Sequence, residues 1–151
     1  MFSNYKKFLV GLFVFLSFSV IFVKFYENKS HYILFLANKE YKVDIARSPK
    51  ELERGLSGRE SLTQDSGLLF VFDKPDNYGF WMNDMNFPID IIWISDENKI
   101  IHIEKSISPS TFPNVYYPNG KALYVLEVSA GESELLKLKI GDEVKFSKKS
   151  F

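Results

Sequence analysis

The chain has 151 residues and not one cysteine. That excludes a disulfide framework, a thiolate nucleophile and a lipid-bearing cysteine, so the fold must hold by packing alone. Histidine is nearly absent too. Only His31 and His102 occur, far apart in sequence, too few for a zinc site or for serine catalysis, and no nucleophile-elbow motif is present. There is no internal repeat and no low-complexity block. Excess charge is also missing, with 19 basic and 19 acidic residues. The first 29 residues hold four lysines and one glutamate, which leaves 15 basic and 18 acidic residues beyond, a net of −3. Such a balance speaks against nucleic acid as a partner.

Aromatic residues are abundant instead, at 17%. Part of that excess lies in Phe8 to Val23, an uncharged run after Lys6 and Lys7. As a helix it spans ~24 Å, short of a ~30 Å hydrocarbon core. Snorkelling by Lys24 and interfacial placement of Phe25 and Tyr26 extend its reach. Residues 1–29 are therefore expected to form an uncleaved single-pass anchor, with the N-terminus in the cytoplasm and the remainder extracytoplasmic. Two alternatives stay open: a cleaved signal, although Ser17-Phe18-Ser19 is a poor cleavage site, and a buried soluble helix.

Residues 30–146 read as one β-rich domain, followed by a frayed tail at 147–151. His31–Ala37 and Tyr41–Ala46 suggest a hairpin around Asn38-Lys39-Glu40. Ser48-Pro49-Lys50-Glu51 is a capping box with proline at the first helical position, predicting a helix from Pro49 to about Leu56. Gly67–Phe72 is a continuous apolar run, expected as a strand buried on both faces, with a turn around Pro75. Ile89–Ile94 and Lys99–Glu104 flank a tight turn. A two-residue turn at Glu97-Asn98 would pair Ile94 with Ile101, Trp93 with His102, Ile92 with Ile103, Ile91 with Glu104 and Asp90 with Lys105. Lys105 to Gly120 is a long loop, of a length often tied to function. Ala122–Ser129 is a further strand, Ser133–Ile140 a short helix, and Asp142–Phe146 a closing strand. The expected class is mainly β, α+β with two short helices, mostly antiparallel, closing into a small barrel or nearly so.

Two acidic residues stand out. Asp90 opens a strand apolar on both faces, and Glu127 interrupts an apolar one. A buried carboxylate must be paired, hydrogen-bonded or protonated. The bland reading is a structural ion pair, of Asp90 with Lys105 or Arg54 and of Glu127 with Arg54 or Arg59. The functional reading is a pocket floor. Trp81 is either a core anchor or a stacking wall. Asn83, Asp84 and Asn86 would offer polar groups beside it, and Tyr116 and Tyr117 lie in the long loop. The ligand-binding candidates are thus Arg54, Trp81, Asn83, Asp84, Asp90, Tyr116, Tyr117 and Glu127. A calcium site at Asp84 and Asn86 is conceivable on donor type, but no metal and no cofactor are expected.

The pattern R-G-L…R (Arg54, Gly55, Leu56, Arg59), G-x-L-F-x-F (Gly67, Leu69, Phe70, Phe72), F-W-M (Phe80, Trp81, Met82), P-I-D-I (Pro88 to Ile91) and V-L-E-x-x-A-G…G-D-x-V (Val125, Leu126, Glu127, Ala130, Gly131, Gly141, Asp142, Val144) resembles domain-of-unknown-function family 192. The chain departs from that family's usual W-M-K-N-T at Asn83-Asp84-Met85, and from its common G-M-L-F at Leu68. The resemblance implies a compact β-rich domain, often exported or membrane-anchored, and no established activity. The leading expectation is a non-catalytic domain binding a small polar or carbohydrate-like ligand. The alternatives are a hydrolase of envelope glycans working through two carboxylates and an interaction module of an envelope complex.

Overall fold

The computed structural model describes residues 32–148. The expected anchor at residues 1–29 lies outside them. Among the described residues no helix is long and apolar enough to cross a membrane. The elements in chain order are β1 (Tyr32–Leu36), β2 (Lys39–Ala46), α1 (Pro49–Arg54), β3 (Ser66–Asp76), β4 (Phe80–Trp81), β5 (Ile89–Ile94), β6 (Ile100–Ile107), a 3-10 turn (Pro109–Thr111), β7 (Val115–Tyr116), β8 (Ala122–Ser129), α2 (Glu132–Leu135) and β9 (Lys145–Lys148).

Seven strands form one sheet in the order β6-β5-β8-β3-β2-β1-β9, and β4 and β7 form a separate ribbon. Every pair in the large sheet is antiparallel except β2–β3, which run parallel across the α1 connection. The expected closed barrel is not formed: the sheet is open, with β6 and β9 as its edges. An isolated bridge, Lys99 to Glu143, and backbone hydrogen bonds of Asn98 and Ile100 with Gly141, Asp142 and Val144 bring the two ends near one another. Both faces of the sheet are instead covered, which removes the need for closure. Leu136, Leu138 and Val144 pack over one face with Leu34, Val43, Ile92 and Leu126. Leu56, Phe80 and Met82 pack over the other with Phe70, Ile91 and Trp93. The fully buried aliphatic side chains among them, such as Leu34, Ile92 and Leu126, contribute roughly 1.5–3 kcal/mol each.

β5 is buried at all six positions, as its double-faced apolar pattern predicts. Its hairpin with β6 differs from the expected one in an instructive way. The loop has three residues, Asp96 to Asn98, closed by Ser95 N–H donating to Lys99 O, with Asn98 at φ 59°. Ile94 therefore faces Ile100 rather than Ile101, but a bulge then restores Trp93 opposite His102, Ile92 opposite Ile103 and Ile91 opposite Glu104. A second bulge puts Ile89 opposite Ile107, so Asp90 does not pair with Lys105.

The capping box at Ser48 and Glu51 is formed, and α1 ends at Arg54, two residues earlier than expected. The first hairpin turns at Ala37-Asn38, both at positive φ, the geometry of a two-residue primed turn. β3 runs on through Pro75 to Asp76, with a register shift after Val71, where a turn was expected. α2 is only four residues long, and β9 starts three residues later than expected and reaches Lys148, inside the stretch read as a tail.

Candidate functional site

Glu127 and Asp90 are both buried, at 4% and 0% exposure, but on opposite faces of the sheet. Glu127 lies opposite Ile91 and Leu68, whose side chains belong to the core that contains Trp93 and Phe70. Asp90 lies opposite Val128, on the face of Ile92 and Ile94. Two carboxylates separated by a sheet cannot flank one bond, so the glycosidase-type pairing of these residues loses its geometry.

Asp90 is a structural acceptor. Its Oδ1 takes the N–H groups of Ser106 at 2.7 Å and Gly131 at 3.1 Å, and its Oδ2 takes Ser133 N–H at 2.8 Å and Ser133 Oγ–H at 2.6 Å. These donors replace the Lys105 or Arg54 cation expected as its partner. The N-cap of α2 is Gly131, which has no side chain to satisfy the first-turn N–H groups. Asp90 does so from a neighbouring strand. The bulge carrying Ser106, at φ 49°, supplies the third backbone donor.

Glu127 has no comparable shell. Its Oε2 is buried without a hydrogen-bond partner. Burial pushes its carboxyl up to about 8, and the nearby Arg59 charge offsets this only in part. Arg59 itself is engaged with Asp44 at 3.0 Å.

Glu127 lines a cleft of about 140 Å³, open on one side and shared with Arg54, Gly55, Phe70, Phe72 and Trp81 among others. Gly55 makes room for it. A Cβ there would stand 3.2 Å from Phe70 Cζ and 3.9 Å from Glu127 Oε2. The residue also sits at φ 52°, ψ −132°, a conformation essentially restricted to glycine. The R-G-L stretch thus ends α1 and opens the cleft with one residue. On the opposite wall Tyr78 stacks on Phe72 at 3.5 Å between centroids, and Tyr78 O accepts Trp93 Nε1–H at 2.9 Å, which pins this segment to the sheet.

Trp81 is a wall and not a core anchor: it lines the cleft and is 52% exposed. Its strand β4 is held by β7, where Val115 faces Trp81 and Tyr116 faces Phe80. Tyr116 is half-buried and packs on the core, away from the mouth. Tyr117 is exposed and lies close against Gly79, which lines the cleft. Asn83 and Asp84 do not line it. Asn83 O accepts Ser57 Oγ–H, Asp84 O accepts Gly58 N–H, and Asn86 Nδ2–H donates to Arg59 O, so this turn fastens itself to the segment after α1. No group of three or more His, Cys, Asp or Glu side chains that could hold a metal ion occurs among the described residues. The structure therefore brings together Arg54, Trp81 and Glu127 of the expected set, with Tyr117 nearby. Reading the sequence alone missed Gly55, which reads only as a helix stop, Phe70 and Phe72, which read as ordinary strand core, and Tyr78, which carries no signal.

No curated relative matches the chain. Solved structures similar to this chain include two at the same level of identity. One is a proposed transcription regulator from Sinorhizobium meliloti 1021, 26% identical, with a TM-score of 0.70 over 77% of this chain and 92% of that one. The other is a protein of unknown function from Novosphingobium aromaticivorans DSM 12444, also 26% identical with a TM-score of 0.70, over 76% of this chain and 83% of that one. The family described as uncharacterized ACR, DUF192, matches residues 33–146, as the motifs around Gly55, Trp81, Asp90 and Glu127 imply. The chain is a member of domain-of-unknown-function family 192.

Proposed function

We propose that the domain binds a small polar or carbohydrate-like ligand in the Glu127 cleft, and that residues 1–29 hold it as a single-pass anchor on the extracytoplasmic face of the cell membrane. The observation that carries the binding reading is Glu127, which lines an open cleft edged by Trp81 and whose buried Oε2 has no hydrogen-bond partner among the described residues. Buried polar groups in native proteins are almost always hydrogen-bonded, and an exception at a cleft floor points to a missing donor. A concave aromatic site with one convergent polar group suits a ligand that stacks on Trp81 and donates a hydrogen bond below. The anchor is supported by the uncharged Phe8–Val23 run after Lys6 and Lys7.

The test is ligand-observed NMR of the full chain against a panel of monosaccharides and small polyols, with Trp81→Ala and Glu127→Gln. Trp81→Ala is expected to weaken a bound ligand at least about fivefold, since stacking contributes about 1 kcal/mol. Being exposed, it should change stability by less than about 0.5 kcal/mol. A ligand whose affinity ignores both substitutions places binding elsewhere. A second reading, a docking module, is favoured by one feature: Trp81 lies 5.9 Å from Phe112, and Val115 and Tyr117 are also exposed around it. Association that Phe112→Ser abolishes while small ligands fail to bind would select that reading.

A further inference from the structure

We infer that the Glu127 cleft is a site for an organic cation, a primary ammonium group carried on a short alkyl chain, which completes the unpartnered Glu127 Oε2 and sits among the aromatic side chains of the walls. The inference rests on the ligand-binding reading above and narrows its chemistry.

Three features of the cleft select the cation. The first is the floor. Glu127 Oε2 has no donor, and an ammonium brings charge as well as up to three N–H groups, whereas a hydroxyl brings one. The second is the lining. Phe70, Phe72, Tyr78, Phe80 and Trp81 all contribute to it; Phe72 and Tyr78 already cover one face of each other, and the half-exposed Trp81 is the most open of the rings to which a cation is attracted. The third is size. A cleft of about 140 Å³ is close to the ~150 Å³ cavity that takes a benzene ring, so it holds a group of about five or six heavy atoms. Of the charges around the cleft, Arg54 and Glu53 both line it and are exposed, so they largely cancel in solvent, and Arg59, whose charge acts on Glu127, is paired with Asp44 at 3.0 Å.

The cation must find a carboxylate, yet burial holds Glu127 protonated near neutrality. Binding therefore converts Glu127 from acid to carboxylate and releases its proton to solvent, with the ammonium keeping its own three. Affinity is linked to pH: it rises as Glu127 ionises on its own and levels off once it has.

Calorimetric titration of the full chain with n-butylammonium, in two buffers of different ionisation enthalpy, reads both quantities. The expected Kd falls about tenfold per pH unit from pH 6 toward 8 and flattens above, with close to one proton released per ligand at pH 6.5. Glu127→Gln should lose at least tenfold in affinity at pH 8.5 while melting as a folded protein. n-Butanol, the same size without charge, should bind at least tenfold more weakly. Ethanolamine and Nα-acetyl-lysine amide as competitors tell a headgroup or free amine from a peptide side chain; displacement by either supports the cation class. A Kd that is flat or rises with pH, or equal binding of n-butanol, overturns the inference. Binding of methyl β-glucoside without n-butylammonium overturns it but leaves the polar-ligand reading standing. Binding of neither by the folded protein ends both.

Discussion

Replacing Glu127 with glutamine should make the protein more stable than its parent at pH 9, and by a large amount. The folded-state carboxyl is raised by burial from 4.5 to about 8, so between those values the native protein holds a proton that the unfolded chain has released. Stability must then fall as pH rises through this interval, by about 1.4 kcal/mol per unit, and flatten above it. The full loss is on the order of 5 kcal/mol, an upper figure because the cleft admits some water. Lys39, Tyr41 and Tyr78 also shift, but upward from 10.5 for the lysine and 10.0 for the tyrosines, which places their titrations above this window. Glutamine keeps the shape and cannot ionise. Urea unfolding from pH 5 to 9 should show two curves that meet near pH 5 and diverge steadily toward pH 8. Parallel curves would mean that Glu127 ionises in the native state as freely as in the unfolded one.

Asp90→Ala should do the reverse and destabilise the fold. The substitution leaves the N–H groups of Ser106, Gly131 and Ser133 without their acceptor, in a part of the structure where Ser133 and Asp90 are fully buried. Orphaned buried donors cost about 1–3 kcal/mol each, with some recovered by entering water. A net loss of about 3–5 kcal/mol follows, the usual scale for breaking a buried charged network. Asp90→Asn keeps one accepting oxygen but turns an NH2 group toward Ser133, and should lose about half as much. A thermal melt of Asp90→Ala within a few degrees of the parent would show that α2 does not depend on this cap. Neither substitution should mimic the other in binding, because the sheet stands between the two carboxyls.

The contrast between these two residues shows what the sequence makes legible. Their burial follows from local alternation: an acid among apolar neighbours in a strand has nowhere else to go. Their partners do not, because the donors to Asp90 come from residues 16 to 43 positions away, brought there by a bulge and by the start of α2. The β5–β6 register shows the same limit. A three-residue loop shifts the pairing by one and a bulge shifts it back, so the middle of the hairpin matches simple counting while both ends do not. Sheet closure was also beyond local pattern. Apolar strands say that both faces are covered; they do not say whether another strand or a connecting segment provides the cover. The ribbon of β4 and β7 joins two stretches that are irregular in isolation, and it is the ribbon that sets Trp81 at the mouth. The capping box of α1 and the doubly buried β5 were legible because each is specified within a few residues.

The ionisation of Glu127 can be read directly by following its carboxyl carbon by NMR as the full chain is titrated. A midpoint near 8 is expected, moving toward the ordinary 4.5 when n-butylammonium saturates the cleft. A midpoint near 4.5 in the free protein would show a solvated or already paired carboxylate, and the cleft would then lack the unsatisfied acid on which its proposed role depends.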